Sequence, residues 1–329
     1  MASSDTHLEV RRIEPGDHSA VLDLLSASLG WMPNEHFERF FRWKHEESPF
    51  GPSPGWVAVE RGSIVGFRTF LRWEYERADG EVLRAVRAVD TATHPDHQGK
   101  GIFRQLTLRA LDELAQEGVG FVFNTPNSQS RPGYLKMGWT EVGRLPTSVR
   151  FTSLRSPWRM VRSRVPAERW STPSRAGRPA LEVLADPSVR ELLAIAPDGR
   201  FRTRRTPEYL RWRYGFGPLE YRALTVTDRA ADGFAVFRLR RRGSSLECAL
   251  VEVLVREGDR AARSGLIRSL ATACGADYLI RIGGPLADRS GFIRVPRQGP
   301  MLTWRPLAGG PAGGQLGDWD LSLGDVELF

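Results

Sequence analysis

An internal repeat constrains the fold of this 329-residue chain more than any other feature. Four short segments of the first half recur in the same order in the second half, and the offset falls steadily from 169 to 158 residues. Small loop deletions produce a drift in one direction, whereas chance matches would scatter in offset. The repeat therefore predicts two copies of one fold. The matching segments are 41–44 with 210–213, 65–67 with 232–234, 88–90 with 250–252, and 133–136 with 291–294.

Length and composition suit this organisation, because 329 residues can form two cores of about 150 residues each. We predict a first domain over 1–150, a basic and Pro/Ser-rich linker over 151–178, and a second domain over 179–329. The sequence has no apolar run long enough to span a membrane and does not start with the apolar segment of a signal peptide. We therefore expect a cytoplasmic protein without a membrane partner.

The net charge of +8 comes almost entirely from arginine. These arginines are scattered, and no block is long enough to be a basic arm, so we interpret the charge as general composition plus a site for a polyanionic cofactor. A nucleic-acid partner is the less favoured interpretation. The two cysteines, Cys248 and Cys274, lie in apolar contexts, which argues against a disulfide framework and a cysteine metal site. We predict no metal.

Residues 89–103, VDTATHPDHQGKGIF, carry the strongest functional signal. A predicted strand over 82–93 leads into a polar loop, and a helix with apolar residues at helical spacing follows over 102–117. Gly99 and Gly101 let backbone N–H groups approach a ligand closely, and the helix start adds a partial positive charge. With Lys100 nearby, the loop predicts an anion site that fits a pyrophosphate.

This segment resembles the central motif of the GNAT superfamily, the Gcn5-related N-acetyltransferases. That motif reads Arg/Gln-x-x-Gly-x-Gly/Ala after a strand that ends in Val-x-Pro, and here Thr93 to Pro95 precede the loop. Phe103 departs from the family, which usually has Gly or Ala there. The resemblance implies that backbone N–H groups hold the pyrophosphate of acetyl-CoA, the acyl donor. It assigns this role to Gln98, Gly99, Lys100, Gly101, Ile102 and Phe103.

A second family element lies at the expected distance. GNAT sequences often read Asn-x-x-Ala-x-x-x-Tyr-x-x-x-Gly-Phe, and this chain has Asn127, Ser130, Tyr134, Gly138 and Trp139 at those positions. By resemblance, Asn127 hydrogen-bonds the pantetheine arm, and Tyr134 is the general acid that protonates the departing CoA thiolate. The family also implies an α/β fold in which each domain is a mixed, mostly antiparallel twisted sheet flanked by helices.

The strand before the loop holds further candidates. Many GNAT enzymes carry an acidic residue there that takes a proton from the incoming ammonium, so Asp90 is the candidate base. An outward strand residue or a structural ion pair is the alternative interpretation of Asp90. The resemblance also implies a β-bulge near Ala92 and Thr93 that admits the pantetheine arm and presents an N–H group to the thioester oxygen.

The second copy lacks these features. Its counterpart loop has no Gln-Gly-x-Gly and carries Glu257 and Asp259, and Phe292 stands opposite Tyr134. We therefore predict that the second copy binds no CoA. The chain as a whole is predicted to transfer an acetyl group from acetyl-CoA to a primary amine of a small molecule, such as an amino sugar, by direct attack. An aminoacyl-tRNA-dependent transferase with paired GNAT-like domains and a non-catalytic acyl-CoA-binding module are the alternatives.

Overall fold

The structure is a computed structural model that describes residues 8–30, 35–77, 79–153, 156–163, 165–194, 200–283, 290–307, 309–310 and 313–327. The chain divides into two compact units. The first unit consists of Met1–Tyr75, Val82–Gly143 and Met301–Gly314. The second unit consists of Glu76–Glu81, Arg144–Pro300 and Gln315–Phe329.

Strands and helices alternate along the described part of the chain. The strands are β1 (Glu9–Arg12), β2 (Gly55–Glu60), β3 (Ser63–Glu76), β4 (Val82–Thr93), β5 (Phe121–Asn124), β6 (Thr140–Arg144), β7 (Thr147–Phe151), β8 (Arg178–Pro179), β9 (Phe201–Thr203), β10 (Arg222–Thr225), β11 (Phe234–Arg242), β12 (Ser245–Leu254), β13 (Tyr278–Ile282), β14 (Ile293–Arg294), β15 (Met301–Pro306) and β16 (Trp319–Asp320). The helices are α1 (His18–Leu29), α2 (Glu35–His45), α3 (Ile102–Gln116), α4 (Arg131–Lys136), α5 (Ser156–Arg162), α6 (Ala180–Leu184), α7 (Val189–Leu193), α8 (Pro207–Tyr214), α9 (Arg260–Ala273) and α10 (Leu323–Val326).

The strands of the first unit follow the order β1-β2-β3-β4-β5-β15-β6. Strand pairs β1–β2, β2–β3 and β5–β15 are antiparallel, whereas β4–β5 is parallel. Helix α3 lies against β1, β2 and β4, and its apolar face joins the core of this unit. Each fully buried leucine of that face, such as Leu106 or Leu114, contributes about 1.5–3 kcal/mol relative to exposure.

Gly66 explains how closely α3 approaches the sheet. A Cβ atom at Gly66 would lie 2.5 Å from Cγ2 of Ile102 and 3.1 Å from Cδ1 of Leu106. A side chain there would push away the first turn of α3, so the glycine in the repeated segment 65–67 positions the start of this helix.

The sheet of the second unit has the order β8-β10-β11-β12-β13-β7-β14. Position by position this order matches the first sheet, and its parallel pair β12–β13 occupies the place of β4–β5. The parallel pairing begins at Ala85 with Phe121 in the first sheet and at Glu247 with Tyr278 in the second. The fold is therefore of the mixed α/β class with antiparallel-rich sheets, as the sequence predicted.

The sixth position in each sheet is filled from the other half of the sequence. Strand β15 occupies it in the first unit, and β7 occupies it in the second. The observed division thus differs from the predicted boundaries at 150 and 178, because strand pairing rather than chain continuity assigns β7 and β15. Residues 156–162 of the predicted linker form α5 within the second unit.

Candidate active site

Tyr134 lies in α4 and is buried, with 4% of its surface exposed. Its ring packs edge-on against Phe103 with 5.4 Å between the ring centroids, and it packs at a tilt against Trp139 with 5.0 Å between centroids. Its hydroxyl oxygen accepts a hydrogen bond of 2.8 Å from Nη1 of Arg68. The phenol is therefore fixed in place on three sides.

Asn127 fixes the start of the helix that carries Tyr134. Its Oδ1 atom accepts hydrogen bonds from the backbone N–H groups of Gln129 and Ser130, at 3.1 and 2.8 Å, and from the Ser130 hydroxyl. Such side-chain bonds to nearby backbone groups are typical of asparagine in turns. Oδ1 is thus engaged locally, and the exposed amide nitrogen of Asn127 is the group that remains for the predicted contact with a pantetheine arm.

Arg68 was not identified from the sequence. It lies in β3 with its side chain fully buried, and Nη1 also donates a hydrogen bond to Oγ1 of Thr91. The guanidinium lies 4.3 Å from the ring centroid of Phe70 and 5.7 Å from that of Phe103. The sequence pattern does not single out Arg68, because a strand pattern shows only that a position faces inward. It does not show that the side chain there contacts a tyrosine hydroxyl.

Asp90 lies in β4 and is buried between two basic side chains of α2. Oδ2 of Asp90 lies 2.8 Å from Nζ of Lys44 and 2.8 Å from Nε2 of His45. Burial by itself would raise the pKa of the Asp90 carboxyl, but the Lys44 charge and the His45 hydrogen bond outweigh it and hold that pKa well below its usual range. Asp90 is therefore a carboxylate at neutral pH.

His45 is held in one tautomer by its two neighbours. Burial lowers the pKa of the imidazole, although the hydrogen bond with Asp90 opposes this effect. Because the carboxylate of Asp90 can only accept, Nε2 must carry the hydrogen, and Nδ1 accepts from the Ser53 hydroxyl at 3.0 Å. The triplet of Lys44, His45 and Asp90 thus joins α2 firmly to β4.

Strand β4 is irregular at Asp90, where the backbone φ angle is +38°. This value is rare for a residue other than glycine and marks local strain. The irregularity lies two residues before the predicted bulge at Ala92 and Thr93. Ala92 is buried, and the carbonyl oxygen of Thr93 accepts a hydrogen bond from the Ser28 hydroxyl at 3.1 Å.

Beyond Arg87, the parallel strands β4 and β5 no longer pair. The last β4–β5 pair joins Arg87 to Phe123, whereas β4 continues to Thr93. The part of β4 that holds Asp90, Thr91 and Ala92 therefore has no β5 partner in the described structure.

The predicted anion loop is exposed and leads directly into α3. Gly99 and Gly101 have φ angles of +76° and +77°, and a Cβ atom at either position would meet nothing within 4 Å. The N-cap of the 15-residue helix α3 is Gly101, which has no side chain to cap the first turn. An uncapped helix start beside two glycines with open surroundings is an arrangement that favours an anion.

The charge near this loop is mixed. Nζ of Lys100 lies 3.3 Å from Nδ1 of His97 and 4.0 Å from Oε2 of Glu60. His97 also lies 3.2 Å from Glu60. The half-exposed Lys100 ammonium can reorient toward an incoming anion, because its contact with Glu60 is long.

The corresponding helix of the second unit begins differently. Asp259 is the N-cap of α9, and its carboxylate accepts a hydrogen bond of 2.8 Å from the backbone N–H of Ala262. The carboxylate also complements the partial positive charge of the helix start. A carboxylate of the chain thus lies at the start of α9.

The structure brings some predicted site residues together and separates others. Tyr134 and Phe103 are in contact, and Arg68 connects Tyr134 to Thr91, which follows Asp90 in the sequence. The remaining predicted residues of the anion loop surround the start of α3. Among the described residues, no group of acidic, histidine or cysteine side chains could hold a metal ion. None of the described helices is long and apolar enough to cross a membrane.

Comparison with known proteins finds a family match for the first part of the chain. A profile of the acetyltransferase (GNAT) domain matches residues 9–142. The fold is similar to a probable N-acyltransferase from Enterococcus faecalis, with a TM-score of 0.67 and 14% identity over 92% of this chain and 73% of that one. It is also similar to a Gcn5-related N-acetyltransferase from Kribbella flavida, with a TM-score of 0.62 and 15% identity over 93% and 73%.

A mycothiol acetyltransferase from Thermobifida fusca is 35% identical over 95 residues. That match covers 27% of this chain and 28% of the relative, so it concerns one part of each protein. The acetyltransferase (GNAT) profile thus covers the part of the chain that holds the anion loop and Tyr134.

Proposed function

We propose that the chain is an N-acetyltransferase that moves an acetyl group from acetyl-CoA to a primary amine of a small molecule. The contact between Phe103 and Tyr134 carries this proposal, because it joins the anion loop to the candidate acid. A donor whose pyrophosphate binds at the start of α3 would extend along the unpaired part of β4 toward the Tyr134 hydroxyl. The GNAT profile supports acetyl transfer, and the match to a mycothiol acetyltransferase supports a small-molecule acceptor.

The transfer needs no covalent enzyme intermediate. The lone pair of the amine nitrogen forms a bond to the thioester carbon, and the carbon–sulfur bond then breaks with its electron pair on sulfur. Tyr134 donates its hydroxyl proton to that sulfur, and solvent restores the proton to the phenolate. The nitrogen loses one proton, so the products are an amide and free CoA. A backbone N–H group of β4 near Ala92 is the proposed donor to the thioester oxygen.

The geometry favours a revised role for Asp90. Its pKa lies far below that of an amine, so Asp90 is a weak proton acceptor in this setting. Its contacts with Lys44 and His45 support the alternative interpretation of a structural ion pair. We propose that Asp90 holds α2 against β4 and that the amine proton leaves to solvent.

We further propose that the second unit is a degenerate copy that binds no CoA. The matching strand order and the matching start of the parallel pairs support the duplication. The Tyr214 hydroxyl donates to Glu252 at 3.2 Å, and these two residues correspond in the repeat to His45 and Asp90, which are also in contact. The Asp259 cap on α9 supports the absence of a cofactor site.

Two alternatives predict different behaviour. An aminoacyl-tRNA-dependent transferase would bind tRNA with a steep salt dependence, because phosphate contacts release counterions. A non-catalytic acyl-CoA-binding module would keep its function after Tyr134→Phe, since binding requires no acid. The open anion loop supports the acetyl-CoA proposal over the tRNA alternative.

Calorimetric titration with acetyl-CoA tests the proposal. We expect one site per chain with micromolar affinity, lost in the Gly99→Glu/Gly101→Glu variant because two carboxylates then repel the pyrophosphate. Gly258→Glu is the matched control, since Gly258 has φ +76° and equally open surroundings in the second unit. We expect that control to bind as the wild type does. Absent binding would contradict the proposal, and two sites per chain would contradict the degenerate second copy.

A further inference from the structure

We propose that Arg68 is a positioning residue that directs the proton of Tyr134 toward the leaving sulfur and stabilises the phenolate that remains. This inference rests on the proposed function and adds a residue to it. Arg68 touches the Tyr134 hydroxyl oxygen directly, at 2.8 Å, from a fully buried position in β3.

The direction of this hydrogen bond matters. A guanidinium can only donate, so the Tyr134 oxygen must accept from Arg68. The phenol hydrogen therefore points away from Arg68. In the described structure no second hydrogen bond of the Tyr134 hydroxyl is found, which leaves that hydrogen for a ligand. Thr91 accepts from the same Nη1 atom and holds the guanidinium in line with β4.

The charge of Arg68 has no structural compensation. No carboxylate within the described residues forms an ion pair with it, and its Nε and Nη2 atoms have no hydrogen-bond partner there. The rings of Phe70, Phe103 and Tyr134 supply only cation–π contacts. A buried unpaired charge is costly for folding, so its presence beside the candidate acid points to the reaction rather than to stability.

The second unit supports this assignment by what it lacks. In the repeat, Arg68 corresponds to Ala235 and Thr91 corresponds to Val253, and these two residues are direct partners across β11 and β12. Tyr134 corresponds to Phe292. Arg68, Thr91 and Tyr134 are thus each replaced by an apolar residue in the unit whose corresponding helix start is capped by Asp259.

The contacts of Arg68 and Tyr134 also explain why Phe103 stands where the GNAT motif usually has Gly or Ala. Its ring faces Tyr134 and Arg68 at once. A Cβ atom at Gly133 would lie 3.1 Å from Cε1 of Phe103, so the glycine before Tyr134 leaves room for this ring. Phe103 thereby excludes water from one side of the guanidinium, which strengthens its interaction with a developing negative charge.

In the reaction, the electron pair of the broken carbon–sulfur bond stays on sulfur, and the Tyr134 proton moves to that sulfur. The negative charge is then on the phenol oxygen, 2.8 Å from the Arg68 cation, until solvent returns a proton. Removing Arg68 therefore destabilises the charge-separated state while leaving the acetyl-CoA contacts at the loop intact.

Arg68→Met, Arg68→Lys and Arg72→Met test this role. Titration calorimetry measures acetyl-CoA binding, and scanning calorimetry measures the melting temperature. Activity is measured as the release of free CoA, with glucosamine and a panel of simple primary amines as acceptors. We expect Arg68→Met to lower kcat about 100-fold, to keep the acetyl-CoA Kd within about 3-fold, and to melt no lower than the wild type. Arg68→Lys retains the charge and should lose less activity. Arg72→Met, on the same strand but paired with Glu117 at the surface, should keep full activity.

A double-mutant cycle with Tyr134→Phe separates action through the hydroxyl from a general packing effect. We expect Arg68→Met to add less than about 3-fold to the loss caused by Tyr134→Phe, because the phenol oxygen on which it acts is then absent. If the activity losses of Arg68→Met and Tyr134→Phe multiply in the double variant, or if the melting temperature of Arg68→Met falls together with its activity, the role of Arg68 is overturned. The proposed function would not be affected by either result. A wild type that neither binds acetyl-CoA nor transfers an acetyl group would overturn the proposed function as well.

Discussion

At the scale of single residues, the buried charges of the first unit divide into two kinds. Asp90 is neutralised by Lys44 and His45, so its burial is compensated and it links α2 to β4. Arg68 has no such counter-charge among the described residues and contacts the candidate acid instead. We interpret the compensated charge as a link between two elements and the uncompensated charge as part of the proposed reaction.

The ion pair of Asp90 with Lys44 and His45 makes the stability of the fold depend on pH. Asp90 has a folded pKa below its ordinary value of about 4, so its contribution is present above about pH 4 and is lost as the pH falls further. His45 is buried in its neutral form, so the unfolded chain binds the extra proton below about pH 6.5, and stability again decreases toward acid. Both effects have the same sign.

We therefore expect the free energy of unfolding, measured by urea denaturation between about pH 7 and pH 3, to decrease steadily toward acid. Asp90→Asn should flatten the part of this curve below about pH 4. Asp96→Asn, at an exposed position of the anion loop, is the control and should keep the wild-type slope. An unchanged slope in Asp90→Asn would show that the carboxylate is not held by Lys44 and His45.

At the scale of elements, the two corresponding helices α3 and α9 differ at their first turn. Gly101 leaves the start of α3 without a side-chain cap, while Asp259 caps α9. An open helix start loses stability that a cap would supply, so the difference fits a ligand site in one unit and a purely structural helix in the other.

Asp259→Ala should lower the free energy of unfolding by about 1 kcal/mol, since the N–H group of Ala262 loses its acceptor. Chemical denaturation measures this loss, and Asp228→Ala, at an exposed turn, serves as the control. The acetyl-CoA stoichiometry of Asp259→Ala should stay at one. A variant as stable as the wild type would contradict the capping role.

At the scale of the whole molecule, each half of the chain supplies one strand to the sheet of the other half. Strand β15 completes the first sheet and β7 completes the second, so the two halves depend on each other for folding. The first sheet is complete only with β15, which pairs with β5 through Thr303 and Asn124 among others. Leu302 and Trp304 of this strand are buried. A sheet without this strand would expose apolar surface and unpaired backbone groups.

A fragment limited to residues 1–150 should therefore be unfolded or aggregated, although it contains every predicted site residue. The same fragment joined through a flexible linker to residues 301–307 should regain a cooperative unfolding transition, measured by circular dichroism. A fragment 1–150 that folds and binds acetyl-CoA by itself would show that β15 is dispensable.

Much of the local structure follows from the sequence because its signals are local. Strand β4 spans the predicted residues 82–93, and α3 begins at the predicted Ile102. Apolar periodicity and Pro/Gly breaks lie within each of these segments and need no distant partner. The glycine loop and the spacing from Asn127 to Tyr134 were visible for the same reason.

The contacts of Asp90 and Arg68 were decided only by the tertiary structure. Lys44 and Asp90 are 46 positions apart in the sequence, and Arg68 and Tyr134 are 66 apart, so no local pattern joins them. The placement of β15 in the first sheet and β7 in the second is likewise not visible in the sequence. The two strands occupy equivalent positions, and strand propensity does not distinguish between them. The sequence by itself determined the elements, the repeat and the family motifs; the packing of distant segments decided which charges are neutralised and which half of the chain completes each sheet.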